Sequence, residues 1–267
     1  MMALSEREQK RFEQVIALEQ TGESGMDRIR RAGVLIVGLG PVGAAAAQWL
    51  SACGVGMLGL ADHGLLHENA LPLQPQLQIQ DVGKYKAKSL CSRLWAMNPM
   101  SKHYPLLLQV NPENVLSLVN SFEIVLDCTD DEAVHLLLND ACVLQSKPLL
   151  MAGIAGTSFW MGQFVLSLQQ ASYRCAVHDL PKMRSSLPGR WSFAAGSAGI
   201  RLAQQAIHLI LAADHAQSSH IYLQDVWTGE DETFALQRDE KNVAKVKAEG
   251  ILSAEAYGMT ILPPVED

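Results

Sequence analysis

Residues 34–62 constrain the fold of this chain more than any other stretch. They read VLIVGLGPVGAAAAQWLSACGVGMLGLAD, with no charged residue before Asp62. An apolar run that turns on glycines, continues in alanines and ends on a carboxylate is typical of a strand, a tight turn, a helix and a second strand. A membrane-spanning helix is the alternative for so long an uncharged run, but its glycines and Pro41 favour the βαβ unit.

Three glycines in this stretch have the spacing G-x-G-x-x-G, namely Gly38, Gly40 and Gly43. Glycine allows a tight turn and a close approach of backbone N–H groups to a phosphate, and the positive end of the following helix points to the same place. Asp62 follows about 20 residues later, where a carboxylate can hold a ribose hydroxyl. The stretch therefore predicts a nucleotide-binding unit, and by itself it also fits an NAD-dependent oxidoreductase.

Composition excludes several classes of protein. Hydrophobic residues make up 48% of the 267 residues and charged residues 18%, which argues against disorder. The net charge of −7 gives no general attraction to nucleic acid or to anionic membranes, so we expect neither as a partner. The five cysteines are odd in number and lie in apolar contexts, which predicts free thiols in a reducing cytoplasm.

The rest of the chain alternates between helical and strand-like patterns. Residues 3–20 predict a surface helix, residues 63–80 a functional loop, and residues 81–97 an amphipathic helix with Asp81 as its N-cap. Further strands are predicted at 103–110, 123–128, 148–151 and 163–168, further helices after Pro112, at 133–145 and at 196–211, and a hairpin at 221–236. This alternation predicts an α/β fold with a doubly wound, mostly parallel sheet and a C-terminal antiparallel hairpin extension.

Several short motifs occur in a defined order along the chain. They are VLIVGLGPVG (34–43), Asp62, Asn69, DVGKYKA (81–87), Asn98-Pro99, DCTDD (127–131) and Ser172-Tyr173-Arg174-Cys175. The ordered set resembles the ThiF/MoeB/HesA family of E1-like adenylyltransferases, which are related to ubiquitin-activating enzymes. The resemblance covers residues 10–235, and DVGKYKA and DCTDD have no role in an NAD-dependent oxidoreductase.

The resemblance implies a Rossmann-like, E1-type fold and a defined chemistry. Such enzymes bind ATP and Mg²⁺, and the C-terminal glycine carboxylate of a small ubiquitin-like or sulfur-carrier protein attacks the α-phosphate. The product is an acyl-adenylate, and the carrier is a β-grasp protein ending in Gly-Gly. We expect the chain to form a homodimer or a heterodimer with an E1-like paralogue.

The resemblance also implies an organisation and a set of site residues. The expected segments are an N-terminal helical arm (1–30), a nucleotide-binding domain (31–171), a crossover segment with a helix and hairpin (172–236) and a peripheral tail (237–267). The expected roles are nucleotide cradle for Gly38, Gly40 and Gly43, ribose binding for Asp62, phosphate binding for Asn69 and Lys86, and Mg²⁺ binding for Asp130. The alternatives are a strand end at Asp62, a solvated helix position at Lys86 and a helix cap at Asp130.

Two cations expected from the resemblance are absent from the sequence. Gln14 replaces the second arginine of an R-Y-x-R-Q signature, and residues 63–80 contain no arginine where the family has N-L-x-R-Q. Loss of one transition-state arginine can lower phosphoryl transfer by a factor on the order of 10³. Arg11, Lys84, Arg93 and a partner chain are the candidates for supplying the charge. The alternative function is a catalytically impaired E1-like subunit that binds nucleotide and partners an active paralogue.

The cysteine pattern departs from the family as well. Many relatives hold zinc with two C-x-x-C pairs, whereas Ser172 opens the first pair here and no cysteine follows Cys175. A tetrahedral Cys₄ zinc site is therefore excluded. Residues 182–186 of the crossover segment contain no cysteine, so covalent capture of the activated partner is not expected there. Cys175 and His178 leave a residual metal pair or a nucleophile with its base as minor alternatives.

Overall fold

The computed structural model describes residues 4–165, 171–176, 189–211, 220–263 and 265. The strands in these ranges are β1 (Gly33–Val37), β2 (Met57–Ala61), β3 (Lys102–Leu106), β4 (Ile124–Asp127), β5 (Leu149–Ala155), β6 (Ser158–Phe164), β7 (His220–Asp225) and β8 (Asp231–Ala235). The α-helices are α1 (Glu6–Arg11), α2 (Glu13–Ile16), α3 (Gly22–Arg31), α4 (Pro41–Ala52), α5 (Lys86–Met97), α6 (Val115–Asn120), α7 (Glu132–Gln145), α8 (Tyr173–Ala176), α9 (Ser192–Leu211), α10 (Glu240–Glu249) and α11 (Ala254–Tyr257). Two 3₁₀ helices, Glu68–Leu73 and Ile79–Asp81, lie between β2 and α5.

All eight strands belong to one sheet in the order β3-β2-β1-β4-β5-β6-β7-β8. The five strands from β3 to β5 are parallel, and β6, β7 and β8 continue the sheet in antiparallel fashion. From β1 the chain adds β2 and then β3 on one side of β1, and it then crosses to the other side of β1 to form β4. Such a reversal opens a crevice at the carboxyl ends of the strands, which is the ligand position in open α/β sheets. The predicted fold class is confirmed.

The antiparallel part is larger than the sequence predicts. A strand at 163–168 is expected within the parallel alternation, yet β6 begins at Ser158 and pairs with β5 directly. Only Gly156 and Thr157 separate the two strands, and Gly156 has a φ of 60°. So short a connection makes a hairpin, because a parallel neighbour needs a crossover of a dozen residues or more. Residues 166–168 of the predicted strand lie outside the described residues.

Strand β1 is buried on both faces, and its side chains alternate between two cores. Val34 and Ile36 belong to the core formed with α4, α5 and α9, whereas Leu35 and Val37 belong to the core formed with α6 and α7. A strand covered on both sides reads as a continuous apolar run, since successive side chains point to opposite faces. This explains why the segment lacks charge without crossing a membrane. None of the described helices has both the length and the apolar character needed to traverse a bilayer.

Helices α4 and α9 pack against each other through very small residues. A Cβ atom added to Gly199 of α9 would lie 2.5 Å from Ala45 Cβ and 2.6 Å from the Val42 carbonyl oxygen of α4. Real Cβ atoms do not approach that closely, so glycine is required at this contact. The alanine run of α4 is therefore explained by a tight helix–helix contact beneath the glycine turn that follows β1.

The predicted start of the amphipathic helix at Asp81 is wrong, since α5 begins five residues later at Lys86. Gly83 has a φ of 82°, which interrupts any helix through residues 81–85. Asp81 instead ends the second 3₁₀ helix, where its carboxylate accepts a hydrogen bond from Gln78 N and pairs with Arg93. The predicted end at Asn98 agrees with the structure. The N-terminal residues likewise form two short helices, α1 and α2, rather than one helix.

The C-terminal residues form α10 and α11, which pack on α7. Tyr257 of α11 donates a 2.7 Å hydrogen bond to the buried Asp140 of α7, and Arg174 of α8 makes 2.7 Å contacts to both oxygens of the same carboxylate. This network anchors α8 just before residues 177–188, which lie outside the described residues. Strands β6 and β7 lie on either side of the predicted segment boundary at residue 171 and belong to the same sheet. The division of the chain into four segments stays a prediction.

Candidate functional site

A cleft of about 290 Å³ opens at the carboxyl ends of β1, β2 and β4. It is lined by five of the seven predicted site residues: Gly38, Gly40, Asp62, Lys86 and Asp130. Gly43 lies in the first turn of α4, beneath the turn that forms the cleft wall. Asn69 is exposed in the first 3₁₀ helix and is not among the described lining residues, so its phosphate-binding role stays a prediction.

The glycine turn between β1 and α4 uses its three glycines in different ways. Gly38 has a φ of 84°, a conformation that favours glycine, and its N–H donates to the Ala61 carbonyl. A Cβ atom at Gly43 would collide with the Gly38 carbonyl oxygen, so the third glycine lets α4 begin close to the turn. A Cβ atom at Gly40 would meet nothing within 4 Å. Packing of the chain itself therefore requires Gly38 and Gly43, while Gly40 faces open space in the cleft.

Asp62 follows β2 and is held by three donors. Its Oδ1 accepts from Gly64 N at 2.7 Å, and its Oδ2 accepts from Leu39 N and Lys86 Nζ, both at 2.7 Å. The side chain of Asp62 is only 8% exposed. A carboxylate offers about four acceptor positions, so one remains for a further donor such as a hydroxyl. Asp62 is therefore oriented before any ligand binds.

Lys86 reaches the cleft because the DVGKYK segment folds back on the residues after β2. Lys86 N donates to the Gly64 carbonyl, and Leu66 N donates to the Lys84 carbonyl, at 3.1 and 2.8 Å. The turn at Gly83 reverses the chain between these contacts and the 3₁₀ helix before it. The local sequence thus places Lys86 Nζ against Asp62 at the first position of α5.

Asp130 lies on the opposite side of the cleft and differs from Asp62. Its side chain is 52% exposed, and its Oδ2 lies 2.7 Å from Arg190 Nη1. Arg190 pairs with Gly156 in an isolated parallel bridge, and Trp191 N donates to the Gly156 carbonyl at 3.0 Å. Sequence reasoning missed Arg190, because no predicted helix or strand includes it and no local pattern links it to Asp130.

A buried pair supports the turn that carries Asp130. Asp127 accepts from Thr129 N and Thr129 Oγ1 with one oxygen and lies 2.7 Å from His135 Nδ1 with the other. Burial acts to lower the pKa of His135, but the Asp127 carboxylate, with smaller contributions from Asp130 and Asp131, more than offsets it and raises the pKa above its usual 6.5. The sequence signal for this pair is Asp127 and His135 eight residues apart across a strand-to-helix turn.

Cys128 and the candidate arginines do not supply a reactive or charged group to the described cleft. Burial raises the pKa of the Cys128 thiol well above its usual value, with Asp127 and Asp130 adding to the effect, so this cleft residue stays protonated. Arg11 donates to the Met97 carbonyl and Arg93 pairs with Asp81, and neither is among the described lining residues of the cleft. Lys84 is likewise not among the described lining residues, so the hypothesis that Arg11, Lys84 or Arg93 supplies the charge expected in the site finds no support in this arrangement.

The described residues give little support to Cys175 as a metal ligand or as a nucleophile. Cys175 Sγ lies 3.3 Å from Ser172 Oγ and accepts from Asp239 N. His178 and residues 182–186 lie outside the described residues. Within the described ranges no three His, Cys, Asp or Glu side chains are grouped as a metal site.

Gln74 is a further residue that the motifs did not indicate. Its buried side-chain amide donates a hydrogen bond to the Leu39 carbonyl and so fixes the glycine turn.

A mostly parallel sheet with a glycine turn and two strand-end carboxylates around one cleft is the arrangement of α/β folds that bind a nucleotide at the switch point of the sheet. The ThiF family matches residues 12–245, and the chain belongs to that family. It is 32% identical over 173 residues to "Adenylyltransferase and sulfurtransferase MOCS3" of Xenopus laevis, covering 64% of this chain and 38% of that protein. It is 34% identical over 152 residues to "Probable adenylyltransferase/sulfurtransferase MoeZ" of Mycobacterium tuberculosis, covering 57% and 39%.

A solved structure shows the same fold. E. coli MccB, crystallised with MccA-N7isoASN, superposes with a TM-score of 0.73 at 18% identity, covering 86% of this chain and 73% of that chain. The curated relatives are longer proteins, of which this chain spans about two fifths. The family and the fold are therefore established.

Proposed function

We propose that this protein is an ATP-dependent adenylyltransferase that activates the C-terminal glycine carboxylate of a small β-grasp, ubiquitin-like or sulfur-carrier protein. The observation that carries the proposal is the convergence of the glycine turn, Asp62, Lys86 and Asp130 on one cleft. The names of the matched relatives, which are adenylyltransferases, support the same reaction class.

Each wall of the cleft suits one part of ATP. Because Asp62 already accepts three hydrogen bonds, it keeps one acceptor position for a ribose hydroxyl. The open space at Gly40 lets phosphate oxygens approach the start of α4, where backbone N–H groups and the helix dipole favour negative charge. Lys86 Nζ would then turn from Asp62 toward the phosphates.

Asp130 fits a Mg²⁺ ion that arrives with the nucleotide. Mg²⁺ usually keeps several waters and binds through one or two carboxylates plus substrate phosphates, so a three-residue protein cage is not required. Asp130 is half exposed and Asp131 follows it on the cleft lining. When bound, the ion would neutralise part of the phosphate charge.

The residues then serve a single displacement at the α-phosphorus. A carboxylate oxygen of the carrier forms a bond to that phosphorus, the bond to the bridging oxygen breaks, and pyrophosphate leaves with the electron pair. Lys86 and the backbone N–H groups of the glycine turn would stabilise the charge on the phosphate oxygens. The product is an acyl-adenylate, and no protein nucleophile is needed, in keeping with the protonated Cys128.

Carrier-dependent ATP–pyrophosphate exchange tests this proposal. The purified protein should catalyse exchange with a β-grasp carrier encoded near its gene, and deletion of the two final carrier glycines should abolish it. Lys86→Met should lower exchange at least about tenfold, because a charged hydrogen bond to the phosphates is lost. Lys102→Met, at an exposed position of β3, is the matched control and should leave exchange unchanged.

Two other outcomes would replace the proposal. ATP binding without exchange at saturating ATP, together with a native mass that shows a heterodimer with an active paralogue, would identify a catalytically impaired subunit. A rise in melting temperature with NAD⁺ and none with ATP would identify an oxidoreductase. The same native mass measurement distinguishes the expected homodimer from the expected heterodimer.

A further inference from the structure

We propose that Arg190 is a phosphate-binding residue of this cleft, held on Asp130 in the free protein and transferred to the nucleotide phosphates when ATP binds. This inference deepens the proposed function and rests on it for the identity of the nucleotide. Its basis is the charge of the cleft, the exposure of the Arg190–Asp130 pair and the anchoring of the Arg190 backbone.

The described lining of the cleft has a deficit of positive charge. Three carboxylates, those of Asp62, Asp130 and Asp131, face the cleft, whereas Lys86 is the one lysine or arginine among the described lining residues. Lys86 is itself paired with Asp62 at 2.7 Å. A triphosphate entering this cleft meets net negative charge, so a protein cation besides Lys86 would strengthen its binding in addition to the proposed Mg²⁺.

Arg190 is the cation that the structure places at this position. Its Nη1 lies 2.7 Å from Asp130 Oδ2, and Asp130 lines the cleft. The two side chains are 32% and 52% exposed, so this ion pair is weak and its members can exchange partners. A guanidinium with five N–H donors binds phosphate oxygens in a forked geometry that a lysine cannot provide.

Hydrogen bonds fix the backbone on either side of Arg190, whereas its side chain is partly exposed to solvent. Gly156 N donates to the Gly189 carbonyl and Trp191 N donates to the Gly156 carbonyl, at 3.2 and 3.0 Å. The turn at Gly156 is held by Asp225, whose carboxylate accepts hydrogen bonds from Thr157 Oγ1 and Ser158 Oγ, both at 2.8 Å. These hydroxyls, with the amides of Thr228 and Trp227, lower the pKa of Asp225 to about 2. Asp225 thus holds the hairpin at Gly156, to which the backbone on either side of Arg190 is hydrogen-bonded.

Binding of AMPCPP, an ATP analogue, to the whole chain by calorimetry in EDTA tests the inference without turnover. Arg190→Gln should weaken AMPCPP binding about tenfold or more, because charged hydrogen bonds to phosphate are lost, while adenosine affinity should stay unchanged. Arg190→Lys should fall between the wild type and Arg190→Gln. Arg31→Gln is the matched control, since Arg31 is an exposed arginine of α3 and its partner Asp27 keeps Arg30.

A second variant tests the transfer of Arg190 between partners. Asp130→Asn should tighten AMPCPP binding in EDTA, because Arg190 loses its resting partner. Removal of a negative charge alone would also tighten binding, so the double variant Asp130→Asn/Arg190→Gln is required. The tightening should be smaller in the Arg190→Gln background than in the wild type, which gives a coupling between the two residues.

The outcomes separate this inference from the proposed function. Unchanged AMPCPP binding by Arg190→Gln, an equal loss of adenosine binding, or additive effects in the double variant would overturn the role of Arg190. Absent carrier-dependent exchange in the wild type, with Arg190→Gln still losing AMPCPP affinity, would overturn only the proposed function. A wild type that binds AMPCPP neither in EDTA nor with Mg²⁺ would overturn both.

Discussion

Asp62 and Asp130 are both carboxylates near the ends of parallel strands, yet the chain surrounds them very differently. Asp62 is 8% exposed and receives three 2.7 Å hydrogen bonds, two of them from backbone N–H groups. Asp130 is 52% exposed, and its side-chain partner is Arg190, which is distant in the sequence. One side of the cleft is thus fixed before a ligand arrives, while the other holds groups that can change partners.

The largest effect that this comparison predicts is on stability. Asp62→Ala should lower the free energy of unfolding by about 3 kcal/mol, because three donors lose their acceptor in a buried site. Asp130→Ala should change it by less than about 0.5 kcal/mol, because its ion pair is exposed. Urea denaturation of both variants measures the difference. Equal losses would mean that the two carboxylates share one structural role.

The two glycines Gly43 and Gly40 sharpen the comparison within the turn. Gly43→Ala should cost about 2 kcal/mol of stability, because its Cβ collides with a backbone carbonyl that cannot move freely. Gly40→Ala should leave stability unchanged, since its φ of −69° suits alanine and its Cβ meets open space. AMPCPP affinity should nonetheless fall in Gly40→Ala, because the methyl group takes the space offered to phosphate. A stable Gly40→Ala variant with wild-type affinity would contradict this assignment.

The smallest predicted effect concerns His135, which supports only the Asp130 side. Its pKa is raised in the folded protein, so the folded state binds the proton more tightly than the unfolded state. The resulting stabilisation is present in full below the unfolded pKa of about 6.5 and is lost as the pH rises through the folded pKa. The melting temperature should fall over that window more steeply in the wild type than in His135→Gln.

Glutamine at position 135 can still donate to Asp127 but carries no charge, so the variant isolates the titration from the hydrogen bond. Contributions from the other titrating groups are common to both proteins and cancel in the difference. Parallel pH profiles would show that the proton on His135 adds no stability. A rising profile in the wild type alone would contradict the direction of the pKa shift.

Local patterns predict one side of the cleft better than the other. The glycine turn, Asp62 and Lys86 follow from spacing, because β1, α4 and β2 are consecutive and DVGKYK folds onto the residues next to Asp62. Arg190 and the Asp127–His135 pair do not follow from it. The position of Arg190 depends on a bridge to Gly156, which is distant in the sequence. The Asp127–His135 pair depends on burial, which composition does not reveal.

Errors in the predicted elements have similar causes. The helix at Asp81 is predicted from apolar spacing, and the positive φ at Gly83 outweighs that pattern. The antiparallel pairing of β6 depends on a two-residue turn, and the surrounding residues resemble those of the parallel strands. The family resemblance correctly indicates the fold because it uses the order of many motifs rather than the period of one.

The contact between Gly199 and Ala45 has a consequence for how variation in this protein is interpreted. Helix α4 begins at the glycine turn, and α9 begins two residues after Arg190, so their crossing sets the spacing of the two sides of the cleft. In a deep mutational scan scored by activity, Gly199 would rank with the proposed ligand-binding positions although it is not among the described lining residues of the cleft. Intolerance to substitution at Gly199 would reflect a packing constraint. A parallel measurement of protein abundance would distinguish it from intolerance at positions proposed to bind ligand.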